Sequence, residues 1–532
     1  MTRTVDVVVV GAGFAGLYAL HRLRGDGLTV RVFEAADGVG GVWYWNRYPG
    51  ARCDVESVDY SYSFDERLQQ EWDWSEKYAT QPEILRYLNH VADRFDLRRD
   101  IRFGARVTDA VLDESTLTWQ IHTDTGELVS ARFLVLAVGP LSNANIPAID
   151  GLESFSGAVL HTAHWPHQGV DFTGQRVGII GTGSSGIQAI PCIAEQARQL
   201  YVFQRSANYS IPAGNVPLDD DTRLAQKAGY AERRRLSMAS GGGSPHQPHP
   251  LPALEVSEQE RQAAYEKRWK LGGVLFSKTF SDQMLNMAAN DTARVFWEQK
   301  IRAVVDDPHI AEWLIPSDHP IGTKRICTDD NYFQTFNRDN VTLANLRLTP
   351  ILRMDTAGVV TSAAHYDLDA LVLATGFDAM TGSVDKLKIV GRGGETLNRA
   401  WASGPVTYLG LGVPGFPNLF NISGPGSPSV LANMALHSEL HIDWIADAVG
   451  YLDAHGARGL EARADAAAEW VHDCACRASG SLMLRANSWY LGANVPDKPR
   501  VFMPFVGGFG VYGQIIAEVA AAGYKGFQVI GA

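Results

Sequence analysis

The chain opens on a continuous β-branched run, Val5-Asp6-Val7-Val8-Val9-Val10, the pattern of a strand buried on both faces of a parallel sheet. Gly11-Ala12-Gly13-Phe14-Ala15-Gly16 follows, then helical spacing to about Arg24 and a second apolar strand over 29–33 that ends at Glu34. This is a βαβ unit with glycines at its first turn. The plan recurs downstream. A strand over 176–180 leads into Gly181-Thr182-Gly183-Ser184-Ser185-Gly186, then a helix over 187–199 and a strand over 200–204 that delivers Arg205. Two more apolar runs ending in small residues, 133–139 (FLVLAVG) and 370–376 (ALVLATG), return the chain to these two sheets.

Between the repeats and beyond them the period changes. Residues 239–253 (ASGGGSPHQPHPLPA) are too polar and too rich in Gly and Pro to bury a face, and a mobile loop is expected. Polar helical spacing over 257–270 continues in helical pattern to about Ile310, so roughly 215–320 reads as a mostly helical insertion. Segments 438–449 and an Ala-rich stretch from Glu461 also read as helices. The expected class is α/β: two dinucleotide-binding Rossmann-like domains, with the helical insertion in the second. The expected division is 1–150 (first part of one nucleotide domain), 151–389 (the other) and 390–532 (return to the first).

Composition narrows the function classes. At 532 residues the chain exceeds one core of ~100–200 residues. A net charge of -12 argues against a general nucleic-acid or anionic-membrane binder, both of which need a basic surface. Five scattered cysteines fit a reducing cytosol better than a disulfide framework, and Cys474-Ala475-Cys476 is too closely spaced for a zinc knuckle, so no metal is expected. The first motif begins about ten residues from Met1, leaving no room for a secretory leader. A soluble cytoplasmic protein is expected, as a monomer or a small homo-oligomer.

In each G-x-G-x-x-G the first glycine permits the turn. The second lets amides approach a pyrophosphate, and the third lets helix pack on strand. The candidates are Gly11, Gly13 and Gly16, and Gly181, Gly183 and Gly186. Glu34 lies 18 residues after Gly16, where a carboxylate accepts ribose hydroxyls and repels a 2′-phosphate, which suits FAD. The matching position in the second unit, 19 residues after Gly186, is Arg205; a guanidinium there suits the 2′-phosphate of NADP.

Two further stretches resemble one family. Phe155, Gly157, His161, Trp165 and Pro166 spell F-x-G-x-x-x-H-x-x-x-W-P between the two nucleotide motifs, and Gly40–Asp54 reads G-G-x-W-x-x-x-x-Y-P-G-x-x-x-D. Both resemble the signatures of type I Baeyer–Villiger monooxygenases. That resemblance, which runs from about residue 5 to 512, implies an enzyme using FAD, NADPH and dioxygen to turn a ketone into an ester or lactone through a C4a-peroxyflavin. By the same resemblance, Arg325 is the active-site cation oriented by Asp54, and Lys324 turns to the NADP 2′-phosphate beside Arg205. Gly41 and Trp43 border the flavin, and Trp489 folds over NADP. The fingerprint is implied to be an interdomain linker in which His161 couples the two domains. Leu431, Met434, Met503 and Phe505 are candidate substrate-pocket residues; as apolar residues they fit a core equally well.

The closest alternative is a flavin-containing monooxygenase that oxygenates amines or sulfides, relatives of which usually lack the Trp-Pro ending. An NADPH-linked disulfide reductase needs a cysteine pair beside the flavin, and Cys53 stands alone. A non-catalytic flavoprotein has no need of Arg325 with Asp54.

Overall fold

The computed structural model describes residues 3–531. Its first sheet is built on β1 (Arg3–Val10), which pairs in parallel with β2 (Val30–Phe33) and, on its other side, with β6 (Leu128–Leu136). Val7, Val8 and Val9 have no exposed surface: Val7 and Val9 pack with α1 (Phe14–Gly25) on one face, and Val8 on the other shares a core with residues of β4 (Val107–Asp113) and β5 (Thr118–Thr123), antiparallel strands that continue the same sheet beyond β6. β3 (Ile101–Arg102) closes the far edge beside β2. Burying such a run takes about 1.5–3 kcal/mol per side chain out of water, which fixes the strand's place in the middle of the sheet.

The second sheet is all parallel. Its spatial order is Val341–Asn345, β9 (Gln199–Gln204), β8 (Arg176–Ile180), Ala370–Leu373 and β7 (Ala158–His161). The sequence thus returns to each sheet through the runs expected. The apolar run at 133–139 pairs only as far as Leu136, and that at 370–376 as far as Leu373; the small residues beyond leave the strand to flank the glycine turns.

The chain rejoins the first sheet at Lys388–Val390, which pairs with β4, and again at Leu419–Asn421, which pairs with β6. The 438–449 segment extends to a long helix, Met434–Ala454, lying along α1, with Tyr18 Oη donating to Asp443 at 2.6 Å. The Ala-rich stretch is the helix Ala464–Ser479, preceded by a short strand at Gly459–Ala462. Helices Asp220–Ala239, Glu258–Leu271, Met287–Arg302 and Pro308–Leu314 fill the expected insertion.

The Gly/Pro/Ser/His tract differs from the mobile loop expected. It carries no strand or helix over most of its length, but its backbone is bonded. Gly241 O accepts from Phe509 N at 3.1 Å, Gly242 O from Asn433 N at 3.0 Å, and His249 N donates to Thr279 O at 2.7 Å. His246 Nε2 also meets Glu56 Oε1 at 3.2 Å. Composition predicts that this tract buries little of its own surface; it does not reveal that the surrounding elements bring partners to it.

Candidate active site

The two glycine turns are built alike. Gly11 has φ +102° and Gly181 φ +111°, and a Cβ on Gly11 would lie 2.6 Å from the carbonyl oxygen of Ala137, just past β6. The mirrored contact of Gly181 is the Ala374 carbonyl, just past Ala370–Leu373. A Cβ on Gly16 or Gly186 would overlap the carbonyl of Gly11 or Gly181, so helix and turn touch backbone to backbone. Both helices start with a glycine cap, Gly13 and Gly183, and neither N-terminus is closed by a side chain. Their first amides are therefore available to a pyrophosphate. Gly13 faces Gly41, whose Cα lies 3.4 Å from a Cβ built on Gly13.

Glu34 accepts from Ala12 N at 2.7 Å and Ala36 N at 2.8 Å, tying the end of β2 to the turn after β1. Burial raises its pKa, and these amide bonds partly offset that. The residues present fit an adenine dinucleotide in each unit.

Between the turns lies an ion pair joining distant parts of the chain. Arg325 Nε and Nη2 donate to the two Asp54 carboxylate oxygens at 2.7 and 2.8 Å, and Nη1 donates to the Val430 carbonyl at 2.8 Å. Burial alone would weaken the guanidinium's hold on its proton; the Asp54 charge and hydrogen bonds outweigh it and raise the pKa. The cation is permanent, as arginine in a water-poor site remains. Two residues on, Cys327 Sγ lies 3.3 Å from Ser184 Oγ at the start of the second nucleotide helix. On the other side, Cys53 next to Asp54 is buried in the core that contains α1.

The 43–54 segment bridges the sheets. Tyr48 Oη donates to Gln188 Oε1 at 2.8 Å, Gln188 Nε2 donates to Arg52 O at 3.2 Å, and Gly50 lies so close to Gln188 O that a Cβ would overlap it. Trp43 Nε1 donates to Tyr60 Oη at 3.2 Å.

A cavity of about 350 Å³ is lined by Arg205, Ser206, Asp318, Lys324, Asn487, Ala493, Asn494 and Arg500. Lys324 Nζ lies 4.0 Å from Asp318 Oδ2, and Arg347 also engages that carboxylate. His319, then Lys324 and Arg347, hold Asp318 well below the usual carboxylate range. Burial lowers the Lys324 pKa, and the Arg347 and Arg205 cations add to this. Three cations, Arg205, Lys324 and Arg500, therefore face one carboxylate already shared with Arg347, a lining that fits a dianionic phosphate. Sequence reasoning missed Arg500. It has no motif around it, and only folding brings a C-terminal arginine to the end of β9.

The fingerprint runs through the edge strand of the second sheet, β7, and into the turn that follows it. His161 ends β7; its Nδ1 accepts from Ala163 N at 3.0 Å, and its Nε2 lies 3.3 Å from Thr375 Oγ1 and 3.4 Å from Asn145 O. That pattern assigns the proton to Nε2 in a neutral ring, and burial lowers the pKa further. Trp165 is buried, and its backbone N–H donates to Trp45 O at 3.2 Å, just before Pro166. Phe155 is buried in the second domain, and a Cβ on Gly157 would lie 2.5 Å from both Asp369 O and the Phe155 ring.

Leu431, Met434, Met503 and Trp489 belong to one apolar cluster with Val430 and Tyr490, adjoining the Arg325 contact at Val430. Met503 also lines a second cavity of about 400 Å³. Phe505 is different. It is 1% exposed and stacked on Trp470 with centroids 5.3 Å apart, so it supports this wall from the core and offers no face to the cleft. All five cysteines are free, and burial raises the pKa of Cys53 and pushes that of Cys327 up to about 12, so neither is a reactive thiol. Among the described residues no helix is long and apolar enough to cross a membrane.

Two Rossmann-like units, each with an uncapped glycine turn, facing an Arg–Asp pair define a flavoprotein oxidoreductase with a second nucleotide site. Residues 4–213 match the family described as flavin-binding monooxygenase-like. A Baeyer–Villiger monooxygenase of Pseudooceanicola batsensis is 42% identical over 531 residues, 98% of this chain and 96% of that protein. A phenazine N-monooxygenase of Lysobacter antibioticus is 41% identical over 531 residues, with the same two coverages. A solved structure described as oxidized steroid monooxygenase bound to NADP is 72% identical with a TM-score of 0.96, covering 99% of this chain and 100% of that one. The chain belongs to the Baeyer–Villiger monooxygenases of the flavin-binding monooxygenase-like family.

Proposed function

We propose that the chain inserts one atom of dioxygen beside the carbonyl of a ketone, giving an ester or lactone, with FAD in the first unit and NADPH in the second. Bound FAD, reduced by NADPH, supplies the electrons that activate dioxygen. Arg325 is the observation that carries the reading. Its guanidinium is held by Asp54 from one domain and by Val430 O beside the apolar cluster, where a ketone would lie. A fixed cation there stabilises negative charge developing on the substrate carbonyl oxygen, and needs no reorganisation as that charge appears. Asp54 positions the guanidinium with two parallel bonds and balances its charge. Arg205, Lys324 and Arg500 hold the 2′-phosphate. His161, neutral and bonded at both nitrogens, keeps the linker registered against Asn145 and Thr375. Residues 1–150 with the C-terminal part of the chain form the FAD domain and the stretch between them the NADP domain; the return falls slightly ahead of the expected residue 390, since Lys388–Val390 pairs with β4 and Val384 and Leu387 pack in the first sheet's core. Leu431, Met434 and Met503 wall the substrate site. The 72% identity to a chain described as a steroid monooxygenase supports a bulky ketone as substrate.

The test follows NADPH and ketone together in air. One ester formed per NADPH consumed, with an oxygen atom from labelled dioxygen in the ester, is the expected result. NADPH consumption with hydrogen peroxide as the only product, or oxygenation confined to aromatic nitrogen or sulfide substrates, would remove the ketone reading. Arg325→Ala should still take up FAD and consume NADPH, while ester formation falls by about 10²–10³-fold, the usual cost of removing one preorganised donor to a developing oxyanion.

A further inference from the structure

Lys278 takes no part in the roles above. It ends the short helix Val274–Lys278 in the helical insertion. The preceding Ser277 packs on the loop that carries Arg325: a Cβ on Gly322 would lie 2.5 Å from Ser277 Cβ. The Lys278 ammonium reaches the Gly/Pro/Ser/His tract, 3.3 Å from the Cβ position of Gly242, and Leu431 O lies 3.8 Å from the same point. Gly242 is itself bonded to Asn433 N. The ammonium therefore stands where three walls of the proposed substrate cleft meet: the Arg325 loop, the Gly242 turn and the 431–433 segment.

The ammonium lacks a partner. Among the described residues Lys278 makes no ion pair, and no hydrogen bond to it is found. The carboxylates of the neighbouring 54–59 segment are already engaged: Asp54 by Arg325, Asp59 by Arg233, and Glu56 by Arg233, Lys77 and His246. Lys278 is exposed to solvent, so water is the partner that an acceptor oxygen would replace. Desolvation by the nearby protein first, and the Arg325 cation second, lower its pKa. A cation held close to a second cation, with no protein acceptor, gains from any acceptor oxygen brought to it.

We propose that Lys278 is a specificity-determining residue whose ammonium binds an acceptor oxygen, a carbonyl or a carboxylate, on the part of the ketone substrate remote from the reacting carbonyl. The preferred substrates are then ketones that carry a second oxygen function. This rests on the reading that ketones react beside Arg325, and it gives a role to a second cation standing near that arginine and the Gly242 turn.

The experiment uses the full chain with FAD and NADPH and three ketones on one carbon skeleton: one with a hydrocarbon far end, one with a carbonyl there, one with a carboxylate. Ester formation gives kcat/KM for wild type, Lys278→Met and Lys278→Arg. Expected is a loss of about 10- to 100-fold in Lys278→Met for the two oxygenated ketones, the range of a charge-assisted hydrogen bond. The hydrocarbon ketone should stay within about twofold and Lys278→Arg should recover most of the loss. A larger loss for the keto acid makes the carboxylate the preferred partner; a larger loss for the diketone makes it the carbonyl. Equal changes for all three ketones in an enzyme that still makes ester would overturn the role of Lys278 alone. No ester from wild type with any of them would overturn the reading of the Arg325 cleft, and this inference with it.

Discussion

Arg325 and Arg205 show how differently two arginines are specified. Arg205 could be placed from sequence because it stands at the end of a strand, in register with Glu34. A cation at a strand end needs only local structure to reach a ribose phosphate. Its partners could not be placed. Arg500 joins it across nearly three hundred residues of chain, and Asp318 enters from the insertion. The two arginines make a paired prediction. Arg205→Ala and Arg500→Ala should each raise KM for NADPH by about 10- to 150-fold, the worth of one charge-assisted bond, and leave KM for NADH nearly unchanged. Steady-state kinetics with both coenzymes checks this; an equal effect on NADH would move the 2′-phosphate away from this cavity.

At the scale of elements, the helix Met434–Ala454 is unusual in carrying titratable groups through the core. His437, Glu439 and His441 are all buried. Burial lifts Glu439 to about 7, against the bonds it accepts from Ser63 N and Oγ, and lowers His437 to about 3. The signs are opposite. An acid with a raised folded pKa contributes stability present below its unfolded value of 4.5 and lost as pH rises through about 7. A base with a lowered folded pKa contributes stability present above its unfolded value of 6.5 and lost as pH falls towards about 3. Glu439→Gln isolates the first. Relative to wild type, the variant should gain stability progressively between pH 4.5 and 7 and show no further relative gain above that window, as read from thermal unfolding across the range. A difference that does not change with pH would mean that the buried carboxyl does not titrate there. The apolar helical spacing announced this helix, but nothing in the pattern marked Glu439 as buried. Its charge became a core feature only because Ser63 comes to meet it.

For the whole molecule, the proposed role of the fingerprint is to hold the two nucleotide units relative to each other, and the ring of His161, which meets Asn145 and Thr375, would be part of that hold. A neutral histidine used as a bonded strut predicts a particular failure. His161→Gln should lower kcat while leaving the shape of the kcat/KM pH profile between pH 6 and 8 unchanged, since no ionisation has been removed. A lost limb in that profile would instead make His161 a proton donor or acceptor.

What the sequence by itself determined was local: two βαβ units, their glycine turns, the acidic and basic residues that end their second strands, and the helices of the insertion. Each depends on periodicity or on backbone angles that only certain residues adopt, so a few adjacent positions carry the whole signal. Recognition of two longer signatures added the Arg325–Asp54 pair and the linker. Only the tertiary structure decided what depends on long-range proximity. It brought Arg500 into one cavity with Arg205 and Lys324, turned Phe505 into the core against Trp470, bonded the Gly-rich tract to Asn433 and Phe509, and set the Lys278 ammonium beside Gly242. Packing brings together residues hundreds of positions apart, and no local pattern records which of them will meet.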